Sequence, residues 1–339
     1  MCMEPERKLA SVVKILDIQP IVGADAIVVA TVKGWKVVVK KNEFNVGDLA
    51  VYYEIDSFLP VMPQFEFLRA RCFKKMANGQ EGFRLKTVRL RGQISQGLLT
   101  PLPWSLPNLK EGDDLTVALN VVKYEAGGPA QLSGEVKGWF PYFIPKTDEE
   151  RIQNYASDCM IDLRGQNAYV TEKLDGSSFT AYFRNGEFGV CSRNLELKPS
   201  EGNAFWQAAN ELQMPGKLTE LRKNIALQGE LVGPGIQGNL YGLAKRTVFF
   251  FTGYYIDEGR RMTVSELKDT LGTLKLNMVP VMEWAYVLPA EALVDNMLAY
   301  ADGKSMLNPN ADREGVVVRG LTENFSFKAI SNNYLLNDK

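Results

Sequence analysis

The spacing of turn residues in the first sixty positions restricts the fold of this chain more than any other feature. Ser11–Ile18, Ala26–Thr31, Lys36–Lys40 and Leu49–Ile55 are rich in β-branched and aromatic residues, which suit a pleated, half-buried surface. Gly23-Ala24-Asp25, Lys33-Gly34 and Asn45-Val46-Gly47-Asp48 separate them with residues that favour turns. Gly97–Leu99 and Leu115–Val122 read as further strands. Short strands at this spacing predict a small OB-like β-barrel. Such a barrel commonly holds single-stranded nucleic acid, and it also occurs as a purely structural module.

At 339 residues the chain exceeds one ordinary hydrophobic core, so two domains are expected. Gly127-Gly128-Pro129-Ala130, extended by Ser133-Gly134, is the linker-like break. The expected domains are therefore residues 1–128 and 129–339. Beyond the break, Thr147 or Asp148 with Glu150 reads as a helix start. Ala168–Lys173, Phe179–Arg184, Glu187–Ser192, Val248–Ile256 and Gly315–Arg319 read as strands, with Arg184-Asn185-Gly186-Glu187 as a hairpin turn. Gly202–Leu212 and Val264–Leu271 read as helices. The expected class is α+β, a barrel followed by antiparallel sheets with flanking helices.

The chain has no histidine. That excludes Ser-His-Asp and Cys-His triads, histidine bases and His-ligated metals. Cys2, Cys72, Cys159 and Cys191 are scattered, without the close pairs of a zinc site or a disulfide framework, and fit a reducing compartment. Carboxylates remain, and they suit hard cations such as Mg²⁺ or Mn²⁺. A net charge of −1 means that a nucleic-acid partner would need a local basic surface. No apolar run approaches the roughly 20 residues of a membrane span, and Met1–Lys8 lacks the pattern of a signal peptide. A soluble, intracellular protein is expected. Arg84, Lys86, Arg89 and Arg91, near Phe65, Phe67, Phe73 and Phe83, form one candidate basic surface with aromatic stacking groups; a solvated charged face is the plainer reading.

The segment that carries chemistry is Glu172-Lys173-Leu174-Asp175-Gly176, a lysine at a strand end before an Asp-Gly turn. Gly176 would permit positive φ and close approach of a phosphate. Lysine becomes a nucleophile when burial or a nearby cation lowers its pKa. Alone, such a segment also fits a surface lysine before a turn. Its companions are Cys191-Ser192-Arg193-Asn194, Gly229-Glu230-Leu231-Val232-Gly233, Val248-Phe249-Phe250-Phe251-Thr252, Glu314-Gly315-Val316-Val317-Val318-Arg319 and Ser326-Phe327-Lys328-Ala329-Ile330.

In order and spacing these segments resemble motifs I, Ia, III, IIIa, IV and V of the covalent nucleotidyltransferases, the superfamily of RNA ligases, DNA ligases and mRNA capping enzymes. The N-terminal part, with Gly34-Trp35-Lys36 and Tyr53-Glu54-Ile55-Asp56, resembles the OB module of the fifth RNA ligase family. DNA ligases and capping enzymes usually carry their OB domain after the catalytic one. Here the chain ends shortly after Lys328, so no such domain is expected.

The resemblance implies an ATP-dependent RNA ligase. Lys173 would take AMP from ATP, and Lys328 would contact the α-phosphate. Asp175 would sit by the hydration shell of Mg²⁺ or Mn²⁺, which Glu314 holds through water, with Glu230 beside it. Glu230 would bind the ribose, and Phe251 would stack on adenine, with Phe249 and Phe250 as alternatives. Arg193 would contact AMP or RNA phosphate, Arg151 would edge the pocket, and Glu172 and Leu174 would flank the nucleotide. Motif V often has two lysines separated by one residue; here only Lys328 is kept, with Ser326 before it, so one phosphate contact is either absent or supplied elsewhere, for example by Lys245 or Arg319. The implied partners are an RNA 3′-OH end and a 5′-phosphate of RNA or DNA at a nick in a duplex, with no membrane. A monomer is the simplest expectation. The alternatives are a capping guanylyltransferase, a DNA ligase, or a non-enzymatic nucleic-acid-binding repair scaffold.

Overall fold

The computed structural model describes residues 7–76, 78–125, 135–155, 163–321 and 325–337. Cys2 and Cys159, the Gly127–Gly134 break and the start of the N-terminal segment lie outside them. The chain divides into two compact units. One comprises Met1–Gly128 with Ile152–Ile161 and Leu335–Lys339; the other comprises Pro129–Arg151 and Asp162–Tyr334.

In the first unit the strands are β1 (Ala10–Pro20), β2 (Ile27–Val32), β3 (Trp35–Lys40), β4 (Leu49–Tyr53), β5 (Ser57–Pro60), β6 (Phe73–Lys75), β7 (Glu81–Arg84), β8 (Thr87–Leu90), β9 (Gln93–Gln96), β10 (Leu98–Pro101) and β11 (Val122–Lys123). They form an antiparallel sheet β10-β4-β1-β2-β3, a second sheet β11-β5-β7-β6 and the hairpin β8-β9. Strand β4 is almost wholly apolar because both its faces are buried. Ala50 and Tyr52 pack with Val13, Ile15 and Trp35, while Val51 and Tyr53 pack with Val12, Leu59 and Phe83. Trp35 is fully buried and donates its indole N–H to Asn154 at 2.6 Å.

The expected strand Leu115–Val122 is not formed; residues 116–120 are turns, and only Val122 and Lys123 pair, with β5. Thr116 shows why. Its hydroxyl accepts the backbone N–H groups of Leu9 and Ala10 at 3.0 and 3.2 Å, so its segment crosses the start of β1 as a cap instead of a neighbouring strand. The rings near the cation run are likewise core: Phe65 and Phe83 are buried, Phe73 is half-buried, and only Phe67 is exposed. Stacking by Phe65, Phe73 and Phe83 is therefore set aside.

In the second unit the strands are β12 (Val136–Trp139), β13 (Asn167–Lys173), β14 (Ser177–Arg184), β15 (Glu187–Cys191), β16 (Leu195–Leu197), β17 (Ile225–Val232), β18 (Thr247–Tyr255), β19 (Arg260–Arg261), β20 (Asn277–Met278), β21 (Val281–Val287), β22 (Gly315–Gly320) and β23 (Ser326–Ile330). The long sheet runs β12-β16-β15-β14-β17-β18-β19, with β20 parallel to β18, and the short sheet runs β21-β13-β22-β23. Helices Ala204–Glu211, Met214–Leu221 and Val264–Leu274 cover one face of the long sheet, where Phe179, Leu227, Leu231, Val248 and Phe250 meet Trp206, Leu218, Leu267 and Leu271. Asn203 caps the first helix and a Thr263–Glu266 capping box starts the third.

The expected helix near residues 147–154 is absent. Residues 145–150 are extended, and only Ile152–Asn154 make a short 3-10 turn. The segment is held by tertiary partners: Asp148 pairs with Arg193, Glu149 with Arg319, and the Glu150 carbonyl accepts the Lys328 N–H at 2.8 Å. A backbone laid alongside β23 cannot close hydrogen bonds on itself.

Candidate active site

Strand β13 delivers Lys173 to the end of the short sheet. Register fixes which residues share its face. Lys173 pairs with Gly315, and Thr171 pairs with Val317, which in turn pairs with Lys328. Directly paired residues point the same way, so Lys173 and Lys328 lie on one face. Glu314, just before β22, meets the lysine: Nζ lies 2.7 Å from Oε2. Both side chains are only slightly exposed. Gly315 has no room for a side chain, because a Cβ there would lie 2.2 Å from the Ala329 carbonyl oxygen.

The Asp-Gly turn then carries the chain into β14. Gly176 is needed here for closeness rather than for positive φ: its backbone is not left-handed, and a Cβ would lie 2.4 Å from the Leu231 carbonyl oxygen and 2.9 Å from Cγ of Glu230. Tyr241 holds the turn from below, its hydroxyl accepting the Asp175 N–H at 2.5 Å. Tyr241 is itself buried with Leu174, Val232 and Val279, and burial pushes its hydroxyl pKa upward. The sequence offered no local sign of Tyr241, since the contact spans 66 positions.

The face of the long sheet away from the helices completes the site. Glu230 pairs with Ser178 on one side and Phe249 on the other. Alternation along β18 buries Phe250 in the helix-covered core and turns Phe249 and Phe251 toward Leu174, Val232 and Tyr241. Phe250 is thus removed as an adenine-stacking candidate. The Arg319 guanidinium lies 5.7 Å from the centre of the Phe251 ring and pairs with Glu149 at 2.9 Å. Arg319 is opposite Ser326 in the register, so a cation stands one strand away from the position where a motif V lysine is missing.

Charges in this site act on one another. Burial pushes the Glu230 carboxyl up to about 8; Glu314 and Asp175 push it the same way, and Lys173 and Arg193 oppose them. Burial alone would lower the Lys173 ammonium, but Glu314, Glu230 and Asp175 together hold it above the ordinary lysine value. Glu172 points to the other face of β13, is buried, and accepts the Met306 N–H at 2.7 Å; burial raises its pKa. Leu174 is buried in the cluster under the turn. Arg151 is buried, and its backbone forms a parallel bridge with Lys328. Arg193 is exposed, paired with Asp148 at 2.6 Å, and within electrostatic reach of Glu230. Lys173, Asp175, Glu230, Glu314, Phe249 and Phe251 therefore converge, Lys328 shares the lysine's face, and Glu172 stands behind it.

Among the described residues, no three acidic or cysteine side chains stand close enough to ligate one metal ion directly. The donor set is nonetheless all oxygen, and burial, with Glu314 and Asp175 adding to it, disfavours Glu230 as an anion. This fits a hard divalent ion held through its own water by Glu314 and Asp175.

A lysine ringed by carboxylates, at the junction of two antiparallel sheets, is the constellation of a covalent nucleotidyltransferase. An OB-fold domain model matches residues 9–102 and an RNA ligase model matches residues 166–330. The fold is similar to that of Naegleria gruberi RNA ligase crystallised with pyrophosphate, with 42% identity, a TM-score of 0.90, and 97% of this chain and 98% of that chain covered. A lysine-to-alanine mutant of that ligase with ATP and Mn matches at 41% identity and a TM-score of 0.91, covering 98% and 99% of the two chains. A glutamate-to-alanine mutant with AMP and Mn matches at 42% and 0.91 over the same shares. No curated protein sequence matches the chain. The chain belongs to the RNA ligase family.

Proposed function

We propose that this RNA ligase uses ATP and a divalent cation, and that Lys173 is its nucleophile. The observation that carries the reading is the Lys173–Glu314 contact of 2.7 Å within reach of Glu230 and Asp175. Lys173 Nζ loses a proton and attacks the α-phosphorus of ATP. A nitrogen–phosphorus bond forms, the bond to the β-phosphate oxygen breaks, and pyrophosphate leaves. AMP then passes to a 5′-phosphate, restoring the lysine. A 3′-OH attacks that phosphorus, the phosphodiester forms, and AMP departs.

The ion pair keeps Lys173 protonated until it is needed. A divalent ion at Glu314 and Asp175 would disfavour the ammonium form and supply positive charge beside the phosphates. Glu230 binds the ribose hydroxyls, Phe251 or Phe249 stacks on adenine, and Lys328 contacts the α-phosphate. Arg319 supplies the second cation that Ser326 does not. Arg193 meets AMP or RNA phosphate, Arg151 edges the pocket, and Leu174 and Glu172 support the nucleotide from beneath. Residues 1–128 act as the OB domain for the nucleic acid and residues 129–339 as the nucleotidyltransferase domain. The substrate is a nick with RNA on its 3′-OH side, and a monomer suffices for one active site. Intracellular location fits the reducing setting of the free Cys72 and Cys191. No helix among the described residues is long and apolar enough to cross a membrane.

Incubation with α-labelled ATP and Mg²⁺ or Mn²⁺ tests the reading. Wild type should retain label after denaturation, and Lys173→Ala should not. Equal labelling of both refutes the assignment, and label taken only from GTP would favour a capping enzyme.

A further inference from the structure

Residues 145–150 run extended from the long sheet to β23, and the fold fixes them without help from Asp148. Gln228 donates to the Pro145 carbonyl at 3.0 Å and Arg261 to the Lys146 carbonyl at 3.1 Å. Glu149 pairs with Arg319 at 2.9 Å, and the Glu150 carbonyl accepts the Lys328 N–H at 2.8 Å. The Asp148–Arg193 pair is thus not what holds the segment. It is also of the weak kind. A single guanidinium nitrogen, Nη2, meets both carboxylate oxygens, at 2.8 and 2.6 Å, and both side chains are about half exposed. Water screens such a pair, and it adds little to stability. Among the described residues nothing meets Nε or Nη1 of Arg193, so most of its donors are spare.

Two further cations share this surface. Lys146 Nζ donates at 3.0 Å to the side-chain oxygen of Asn194, the residue next to Arg193, while Arg261 grips the carbonyl of Lys146 itself. Lys146, Arg193 and Arg261 are all exposed. The rim joins the active site at two places. The Arg193 charge acts on Glu230, and Glu150 lies against Lys328, which shares the face of Lys173.

Three exposed cations on one rim suit an anion that can reach all of them. A carboxylate on an arginine stands where a phosphate would, since each offers the guanidinium two oxygens. The rim is also more open than the pocket: the Arg193 side chain is 47% exposed, against 27% for Lys173 and 16% for Glu314. An outer position suits the backbone of an entering strand better than the nucleotide held at the lysine. We propose that Lys146, Arg193 and Arg261 form a phosphate-binding rim for the RNA strand, and that Asp148 holds Arg193 in the phosphate's place until the strand arrives. The proposal rests on the ligase reading above, and it narrows Arg193 to the strand. Contacts of this kind set the register of the strand without reading its sequence.

The test measures the Kd for a nicked RNA duplex over a range of salt, and the KM for ATP in self-adenylation. It compares wild type, Asp148→Asn, Arg193→Ala, Asp148→Asn/Arg193→Ala and Lys146→Ala/Arg261→Ala. Asp148→Asn should bind the duplex about fivefold more tightly, within what an exposed ion pair allows. In the Arg193→Ala background the same change should give no gain, because no arginine is left to release. Lys146→Ala/Arg261→Ala should bind about tenfold more weakly, with the slope of log K against log salt smaller by roughly 2. An equal gain in both backgrounds overturns the stand-in, since Asp148 would then act only as a negative charge near the strand. An unchanged slope in Lys146→Ala/Arg261→Ala overturns the rim. A gain confined to the KM for ATP assigns the rim to the phosphates of the nucleotide and overturns the strand. If wild type takes no label from ATP, the ligase reading fails, and the Kd for the duplex still decides the rim.

Discussion

In the OB-fold unit, strand β4, between β10 and β1, is buried on both faces. In the ligase unit, the long sheet is covered by helices on one face, while the other carries Glu230 and the two exposed-side phenylalanines. Charge follows the same division. The half-buried ions of the first unit are matched for the fold: Arg7 meets Glu54 at 2.6 Å, and Arg84 meets Asp56 at 3.2 Å while lying 4.6 Å from the centre of the Tyr124 ring. In the second unit, Glu230 and Glu314 crowd around Lys173, and burial first, then Glu314 and Asp175, push the Glu230 carboxyl up to about 8 against the pull of Lys173. Pairing of the first kind serves stability, whereas crowding of the second kind works against it and is kept for chemistry.

Substitutions that should affect one unit and spare the other break or sharpen that contrast. The largest effect belongs to Lys173→Ala, which should lower self-adenylation by more than about a thousandfold without unfolding the chain, because it removes the amine on which the proposed nitrogen–phosphorus bond forms. Circular dichroism and ATP labelling check it together. Tyr241→Phe should come next. Removing the hydroxyl takes away its hydrogen bond to the Asp175 N–H, and the loosened turn should lower the rate of adenylation about tenfold while KM for ATP moves little. A Tyr241→Phe enzyme with unchanged rate would show that the turn holds itself. Smaller again is Arg89→Ala/Arg91→Ala. These exposed cations sit at the tip of the β8-β9 hairpin. If they touch RNA phosphate, affinity should fall severalfold and the slope of log K against log salt should shrink by roughly 2. Arg84→Ala, by contrast, should lower Tm and leave that slope alone, since its partners are Asp56 and Tyr124.

The sequence disclosed most where physics is local. The β-branched and aromatic runs and the turn residues marked β1 to β4, and the lysine before an Asp-Gly turn marked the strand end that carries the proposed nucleophile. It disclosed least where distant partners decide. Leu115–Val122 has strand composition, yet Thr116 is taken up by β1 and the segment turns. Thr147-Asp148-Glu149-Glu150 has helix-start chemistry, yet Arg193, Arg319 and the Lys328 backbone claim it. Gly176 was correctly singled out for the wrong cause, since its need is clearance from Leu231 rather than φ. Arg84, Lys86, Arg89 and Arg91 looked alike in one dimension, but the fold uses Arg84 as an internal ion pair and leaves Arg89 and Arg91 at a hairpin tip. Alternation in β18, in turn, narrowed three candidate phenylalanines to two.

The smallest effect tests whether the ligase unit also contains charges of the stabilising kind. Glu266 closes the capping box of helix Val264–Leu274, accepting the Thr263 N–H at 2.8 Å, and it pairs with Arg260 at 2.8 Å. Those hydrogen bonds, with Arg260 first and Thr263 second, hold its carboxyl down at about 2. The folded pKa lies below the unfolded one. Its contribution is therefore fully present above about pH 4.5 and is lost as pH falls toward 2, where the carboxyl takes up its proton. Both partners are well exposed, so water screens the pair, and the expected worth is only about 1 kcal/mol, chiefly from the cap. Glu266→Gln should thus be less stable than wild type at pH 7, and the two should converge in acid. Adenylation by folded protein should not change, because this helix covers the face opposite the lysine. A gap that stays constant from pH 7 to pH 2 would mean that packing around the side chain, and not its charge, holds the helix start.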